Sequence, residues 1–281
     1  MFAHLMYYYR STRAWEQEDI MVLAIYTKMV VRALLIAVLF LTLAGLAARF
    51  ALYMWGEEEL LKPLTLFDVG EERSIPTWFE SILFLLCSIL LAVITVAKRQ
   101  RGERFSLHWG VLSIIFLLLS MDEVATIHEI IGAEFERLLR ATIGFEAGGA
   151  ISFFWVVPGA AFVLIVVLSY LRFLVHLPRR TRRLFLFAGA LFVLGALGME
   201  MLTAEVVSSS SSIVNWVVSA SGGMVDQGSA NAIPTILKGL QTSVEEMFEM
   251  LGLTALVYTL LGYIRSDVED ITVRVLTDKS V

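Results

Sequence analysis

The chain has 281 residues, 58% hydrophobic and 17% charged, with a net charge of −5 and a mean hydropathy of +0.76. That composition excludes a water-soluble globular domain, and the negative balance gives no reason to expect a nucleic-acid partner. The lone cysteine, Cys87, excludes an internal disulfide and a cysteine metal site.

The N-terminal MFAHLMYYYR lacks the basic and apolar regions of a signal peptide. Residues 1–28 read as a cytoplasmic or interfacial segment, with 14–28 either an interfacial helix or the product of a start codon set too early. Apolar runs then predict six spanning helices, at about 30–54, 78–97, 109–131, 150–175, 184–205 and 239–264. A hydrocarbon core roughly 30 Å thick needs about 20 residues at 1.5 Å rise. The runs do not alternate, so strands are not expected. The expected fold is an all-α polytopic bundle, one transmembrane domain over 1–281 with a tail at 265–281.

Basic residues set the orientation. Sixteen Lys and Arg flank one side of the spans and six the other. The positive-inside rule puts both termini in the cytoplasm, and a bacterial inner membrane is the expected location. The cytoplasmic connections, KRQRGERFSLH and HLPRRTRR, are short. The outer ones are long and include a Ser-rich stretch over about 206–238, with Trp216 as an interfacial anchor. Such loops either cap a site or are tolerated insertions.

Charged groups interrupt the apolar runs. SMDEVATIHEI places Asp122, Glu123, His128 and Glu129 in span three, Glu200 and Glu205 fall in span five, and Glu245, Glu246 and Glu249 fall in span six. Charges at membrane depth are costly and usually functional. Counting rise from the basic side places Glu80, Asp122, His128, Glu200, Glu246 and Glu249 at one level, roughly 20–28 Å out. In a continuous span three, Asp122 and Glu129 lie about 20° apart around the axis. Glu246 and Glu249 share a face of span six, while Glu205 lies near the interface and is the weaker candidate. Gly195, Gly198, Gly159, Ala160 and Ala161 allow close packing nearby, and Pro158 is a candidate kink in span four.

Nineteen acids face six bases on the outer side. Clustered carboxylates repel unless protons or cations compensate them. A divalent cation fits that need, with Asp122, His128, Glu129, Glu246 and Glu249 as candidate ligands. Carboxylates with one imidazole suit Zn²⁺, Mn²⁺ or Fe²⁺, and Ca²⁺ without the imidazole. Glu123 and Glu200 are candidate catalytic bases. The chain lacks the paired Glu-x-x-His of di-iron bundles. A hydrogen-bonded network of protonated acids is the alternative for the cluster. Helix N-terminal capping is the alternative for Glu245 and for Glu80, with Ser74 or Thr77 as the cap residue.

FDVGEERSIPTWFESILFLLCSILL followed by LLLSMDEVATIHEIIG resembles a family of uncharacterised bacterial integral membrane proteins, through Phe67, Asp68, Pro76, Ser120, Asp122, Glu123, His128 and Glu129. The resemblance covers roughly residues 60–135 and implies a bacterial membrane protein, with no chemistry attached.

The one-sided acids point to a metal-dependent hydrolase or transferase acting on a membrane lipid or lipid-linked substrate. A proton- or metal-coupled transporter and an accessory subunit with a structural acid network are the alternatives. The orientation predicts that cysteines placed at Ser210 and Arg180 react oppositely with an impermeant thiol reagent. Labelling of Arg180→Cys from outside intact cells overturns it.

Overall fold

The computed structural model describes residues 6–9, 20–23, 26–55, 62–71, 73–144, 155–222 and 224–267. Six helical segments are long and apolar enough to cross a membrane: Thr27–Tyr53, Ile75–Gln100, Ser106–Ala125, Val156–His176, Arg179–Ser208 and Ala232–Asp267. The chain runs through α1 (Thr27–Trp55), α2 (Ile75–Gln100), α3 (Ser106–Ala125), α4 (Ile127–Ile143), α5 (Val156–His176), α6 (Arg179–Val193), α7 (Glu200–Ser208), α8 (Ser210–Ala220) and α9 (Gln227–Asp267). A 3₁₀ turn at Lys62–Phe67 leads into α2.

Several boundaries differ from the expectation. An antiparallel pair, β1 (Met6–Tyr9) with β2 (Ile20–Leu23), precedes α1, so strand occupies part of the expected interfacial helix. The third apolar run is two helices, because Thr126 takes a left-handed conformation, φ 48°. Pro158 stands in the first turn of α5, where its missing N–H costs nothing, rather than mid-helix. The Ser-rich stretch is itself helical as α8, which packs on α9 and leaves Trp216 exposed.

The long helix α9 is the axis of the bundle. It packs against α1, α2, α6, α7 and α8. Met250, Leu253, Val257 and Leu260 on it are at most 2% exposed. Close approach is possible because glycines remove side chains at the contact. A Cβ on Gly252 would lie 2.8 Å from the Phe192 backbone N and 3.0 Å from the Ala188 carbonyl O. One on Gly195 would lie 2.7 Å from Glu249 Cγ and 2.9 Å from the Glu245 carbonyl O.

Helices α2 and α3 are held by paired hydroxyls, with Gly110 meeting Thr95 further along the seam. Ser81 Oγ donates to the Ser120 carbonyl at 2.8 Å, and Ser120 Oγ returns a bond to Ser81 O at 2.9 Å. Two turns deeper, Ser88 and Ser113 repeat the exchange at 2.7 and 2.9 Å. The seven-residue spacing keeps both pairs on one antiparallel seam. Each such bond within lipid contributes about 0.6 kcal/mol.

Toward the basic end the bundle closes on apolar side chains, Leu91, Ile94, Trp109, Val257 and Leu260, all at most 2% exposed. Trp109 makes ring contacts with Phe173, Phe185 and Tyr263.

The Gly252 contact is with backbone atoms that cannot rotate away. Gly252→Val is expected to cost about 1–3 kcal/mol by overpacking. Gly262→Ala, with nothing within 4 Å of the added carbon, is the neutral control. Thermal unfolding in detergent checks the pair, and equal melting temperatures refute the close-contact reading.

Candidate functional site

The acid end of the bundle is assembled from α1, α2, α3, α6, α7 and α9. At the entry to α2, Ser74 caps the helix, accepting from Thr77 N at 3.3 Å, with Pro76 in the first turn. The cap therefore falls to Ser74, one of the two candidates. Glu80 takes no part in it. Its side chain is buried, 1% exposed, and neither carboxyl oxygen meets an N–H or hydroxyl donor. What faces it is other acids: Glu246 and Glu249 on α9 and Glu123 on α3. Glu246 and Glu249 act on Glu80 as like charges, with no counter-ion beside it among the described residues.

A second carboxyl pair extends the cluster. Glu245 interacts with Glu200 across the helix contact, with Glu246 and Glu249 within electrostatic reach of Glu245. Glu245 lies mid-way along α9, so first-turn capping does not account for it. The segment before Glu200 is a π-helical turn, Leu194–Met199. Such turns rotate the side chains that follow and recur at functional sites. Here the π turn also carries Gly195, which lets the chain lie against the α9 backbone beside Glu245 and Glu249. Glu205 is exposed, and its carboxylate accepts from Ser209 Oγ at 3.1 Å.

The break at Thr126 decides the geometry of the DExxxxHE motif. Both oxygens of Asp122 are engaged by His128. Oδ1 accepts from the His128 backbone N–H at 2.7 Å, and Oδ2 lies 3.1 Å from Nδ1. The first bond caps the start of α4 in place of its own N-cap residue, which makes no side-chain cap. The second orients the imidazole and leaves Nε2 as the nitrogen directed elsewhere. The ring also packs edge-on against Trp155 at 5.1 Å. His128 lies past the end of the apolar span, which stops at Ala125. Burial disfavours a charge on it, but the Asp122 carboxylate outweighs that effect and raises the imidazole above its ordinary pKa. Glu123, half-buried, links this pair to the acids, since it interacts with both His128 and Glu80. Glu129 is exposed on α4, and the phase it would share with Asp122 in a continuous helix is lost at the break.

Arg49, absent from the candidates drawn from the sequence, completes the site. Its charge acts on Glu246. Arg49 Nε donates to Asp68 Oδ1 at 2.6 Å, and Gly70 N donates to the same oxygen at 3.0 Å. The guanidinium fills a slot that needs two glycines. A Cβ on Gly70 would lie 1.8 Å from Nη2, and one on Gly239 3.1 Å from Nη1. Asp68, before α2, thus clamps a cation that acts on the acids. An arginine in the outer part of a span, followed by an acidic turn, was the available signal.

The structure therefore brings Glu80, Glu123, Glu200, Glu245, Glu246 and Glu249 into one interacting cluster, with Asp122 and His128 at its edge. Among the described residues no three of His, Cys, Asp or Glu are already disposed as a metal's ligand set.

The chain belongs to a family described as a domain of unknown function (DUF8692), whose model matches residues 31–263. No curated protein and no solved structure matches it. The matched region contains the clustered acids, the Arg49 clamp and the Asp122–His128 pair.

Asp122→Ala removes the bond that starts α4 and is expected to cost about 1 kcal/mol. Amide exchange should quicken at Ile127–Ile131 in that variant and much less in Asp122→Asn, which keeps an acceptor. Unchanged exchange in Asp122→Ala contradicts the capping role.

Proposed function

We propose that the protein is a membrane enzyme whose acid cluster takes a divalent cation and acts on a lipid or lipid-linked substrate from the outer leaflet. The observation that carries this reading is Glu80: a fully buried carboxyl with no donor, facing acids from other helices. A carboxylate so placed is tolerable only with a proton or a cation between it and its neighbours.

Glu80, Glu123, Glu246 and Glu249 are the oxygen donors in this proposal, and His128 Nε2 the nitrogen donor. That mix suits Zn²⁺, Mn²⁺ or Fe²⁺. Asp122 has both oxygens engaged and acts instead by orienting His128, as carboxylates do behind ligating imidazoles. Glu129 is exposed and is given no role. Glu200, paired with Glu245, is the base within reach of the cluster. A bound cation supplies Lewis-acid activation at an ester or phosphoester. The chain's own part is to place a base beside it, to hold Arg49 for a developing negative charge, and to exclude water from the far side. The apolar packing toward the basic end supports a one-sided site. Termini in the cytoplasm and a bacterial inner membrane complete the proposal, on the positive-inside bias.

A second reading, proton-linked transport, draws on the Glu200–Glu245 and Glu80–Glu246 interactions, in which protonation of one carboxyl would relieve like-charge repulsion. The two readings predict opposite effects of Glu80→Gln. With a cation in place, the variant loses a ligand, leaves the other acids uncompensated and is destabilised by about 3 kcal/mol. Without one, an amide relieves repulsion and raises the melting temperature. Elemental analysis of purified protein, alongside melting of wild type and Glu80→Gln with and without chelator, decides between them. Stoichiometric metal with a destabilised variant is the expected result. Metal-free protein with a stabilised variant moves the assignment to protons.

A further inference from the structure

A polar cavity lies at the end of the bundle opposite the acid cluster, where α2, α3, α5 and α9 meet. Its volume is about 160 Å³, and its polar wall is Lys98, Glu103, Arg104, His176, Tyr263 and Asp267, with Phe105 and Trp109 beside them. At about 30 Å³ per water, it holds roughly five waters, or a phosphate with part of its glycerol.

Lys98 is the buried charge of this cavity, 4% exposed. Its Nζ donates to Glu103 Oε2 at 2.6 Å and to Asp267 Oδ2, and sits 5.4 Å from the centre of the Tyr263 ring. Those acids balance Lys98 and hold the ends of α2 and α9 together. Arg104 is different. Its guanidinium lies on the Phe105 ring at 4.9 Å, and no carboxylate pairs with it among the described residues. The Phe105 ring also meets the exposed His176 ring at 5.1 Å. Phe105 holds this position in a left-handed conformation, φ 69°. A non-glycine residue there costs on the order of 1 kcal/mol or more, and such strain concentrates at ligand clamps. Two exposed nitrogen-bearing groups are thus presented around one aromatic ring, and among the described residues the cavity's acids, Glu103 and Asp267, are engaged by Lys98 instead.

The surroundings favour an amphiphilic ligand. Leu107 and Val175 adjoin the α3 and α5 helix ends and are 74% and 71% exposed, on two spans that bury little of their surface. Among the described residues, twelve Lys and Arg lie on this side of the spans and six on the other. Basic pockets between helix ends at a membrane face suit anionic headgroups.

We propose that this cavity binds the phosphate of an anionic phospholipid, with Arg104 and His176 as the anion's donors and Phe105 as their platform. It is a site separate from the acid cluster and independent of the chemistry proposed there. Lipid bound here would tie α2, α3, α5 and α9 at one end, so its readout is thermal stability.

The test uses the full chain in nanodiscs of phosphatidylcholine, with and without phosphatidylglycerol, and native mass spectrometry of the lipid retained. Phosphatidylglycerol is expected to be retained selectively and to raise the melting temperature. Arg104→Gln should weaken that retention about tenfold, the loss of one charge-assisted bond. Arg265→Gln, on the same side but outside the cavity wall, should retain it. His176→Gln supplies a second variant of an exposed residue in case Arg104→Gln folds poorly. Equal losses in Arg104→Gln and Arg265→Gln indicate surface charge alone and overturn the site. Inorganic phosphate in the low millimolar range is the other arm. If it stabilises wild type as phosphatidylglycerol does, and Arg104→Gln abolishes that, the ligand is soluble phosphate and the lipid assignment is overturned.

Discussion

The fold is organised by the need to enclose the carboxyls of α9 within lipid. Glu245, Glu246 and Glu249 lie along little more than one turn of a helix that must also cross the hydrocarbon core. An unshielded charge there is expensive, so such residues face the bundle interior. Enclosing them requires partners on every side of α9. That is what α1, α2, α6, α7 and α8 provide, and it makes α9 the most buried of the spans. The spans of α1, α3, α5 and α6–α7 expose most of their surface.

Enclosure at such short range depends on removing bulk from the contacts. Glycines at 195 and 252 bring α6 and the π turn onto the α9 backbone. Paired serines bring α2 to α3, as the alternative for two helices with no hydrophobic drive to associate. The arginine clamp works on the same terms: the loop before α2 can reach Arg49 because position 70 has no side chain. None of these contacts is large. Their common effect is to position carboxyls from four helices against one another, an arrangement that stabilises nothing by itself.

The two ends of the bundle are built on opposite electrostatic terms. At the basic end, Lys98 is buried but matched by Glu103 and Asp267, and the ion pairs join helix ends. At the acid end, Glu80 is buried and unmatched. Buried charges are ordinarily paired, and a departure from that rule at one end alone locates the place where the fold gives up stability. Asp122 shows how tightly the edge of that region is specified. One side chain both starts α4 and sets the imidazole of His128, so the helix break and the ring orientation are one structural feature.

The six spans, and the shared depth of their acids, were legible in the sequence. Hydropathy and rise per residue are local properties, and a bilayer imposes a fixed length on every crossing. The distinction between Glu200 and Glu205 was legible for the same reason. What lay beyond the sequence depends on contacts between distant segments. A β-branched Thr126 in a left-handed turn carries no local signature, so the stripe that joined Asp122 to Glu129 was drawn across a helix that does not continue. Ser81 and Ser88 look like scattered polar residues until α3 supplies Ser120 and Ser113 at the matching spacing. Glu80 reads equally as a helix cap, and only the packing, which gives the cap to Ser74 and leaves Glu80 without an N–H or hydroxyl donor among the described residues, separates a cap from a buried acid. Periodicity determines which residues share a depth and a face; packing alone determines which carboxyls meet, and which of them meets no counter-charge.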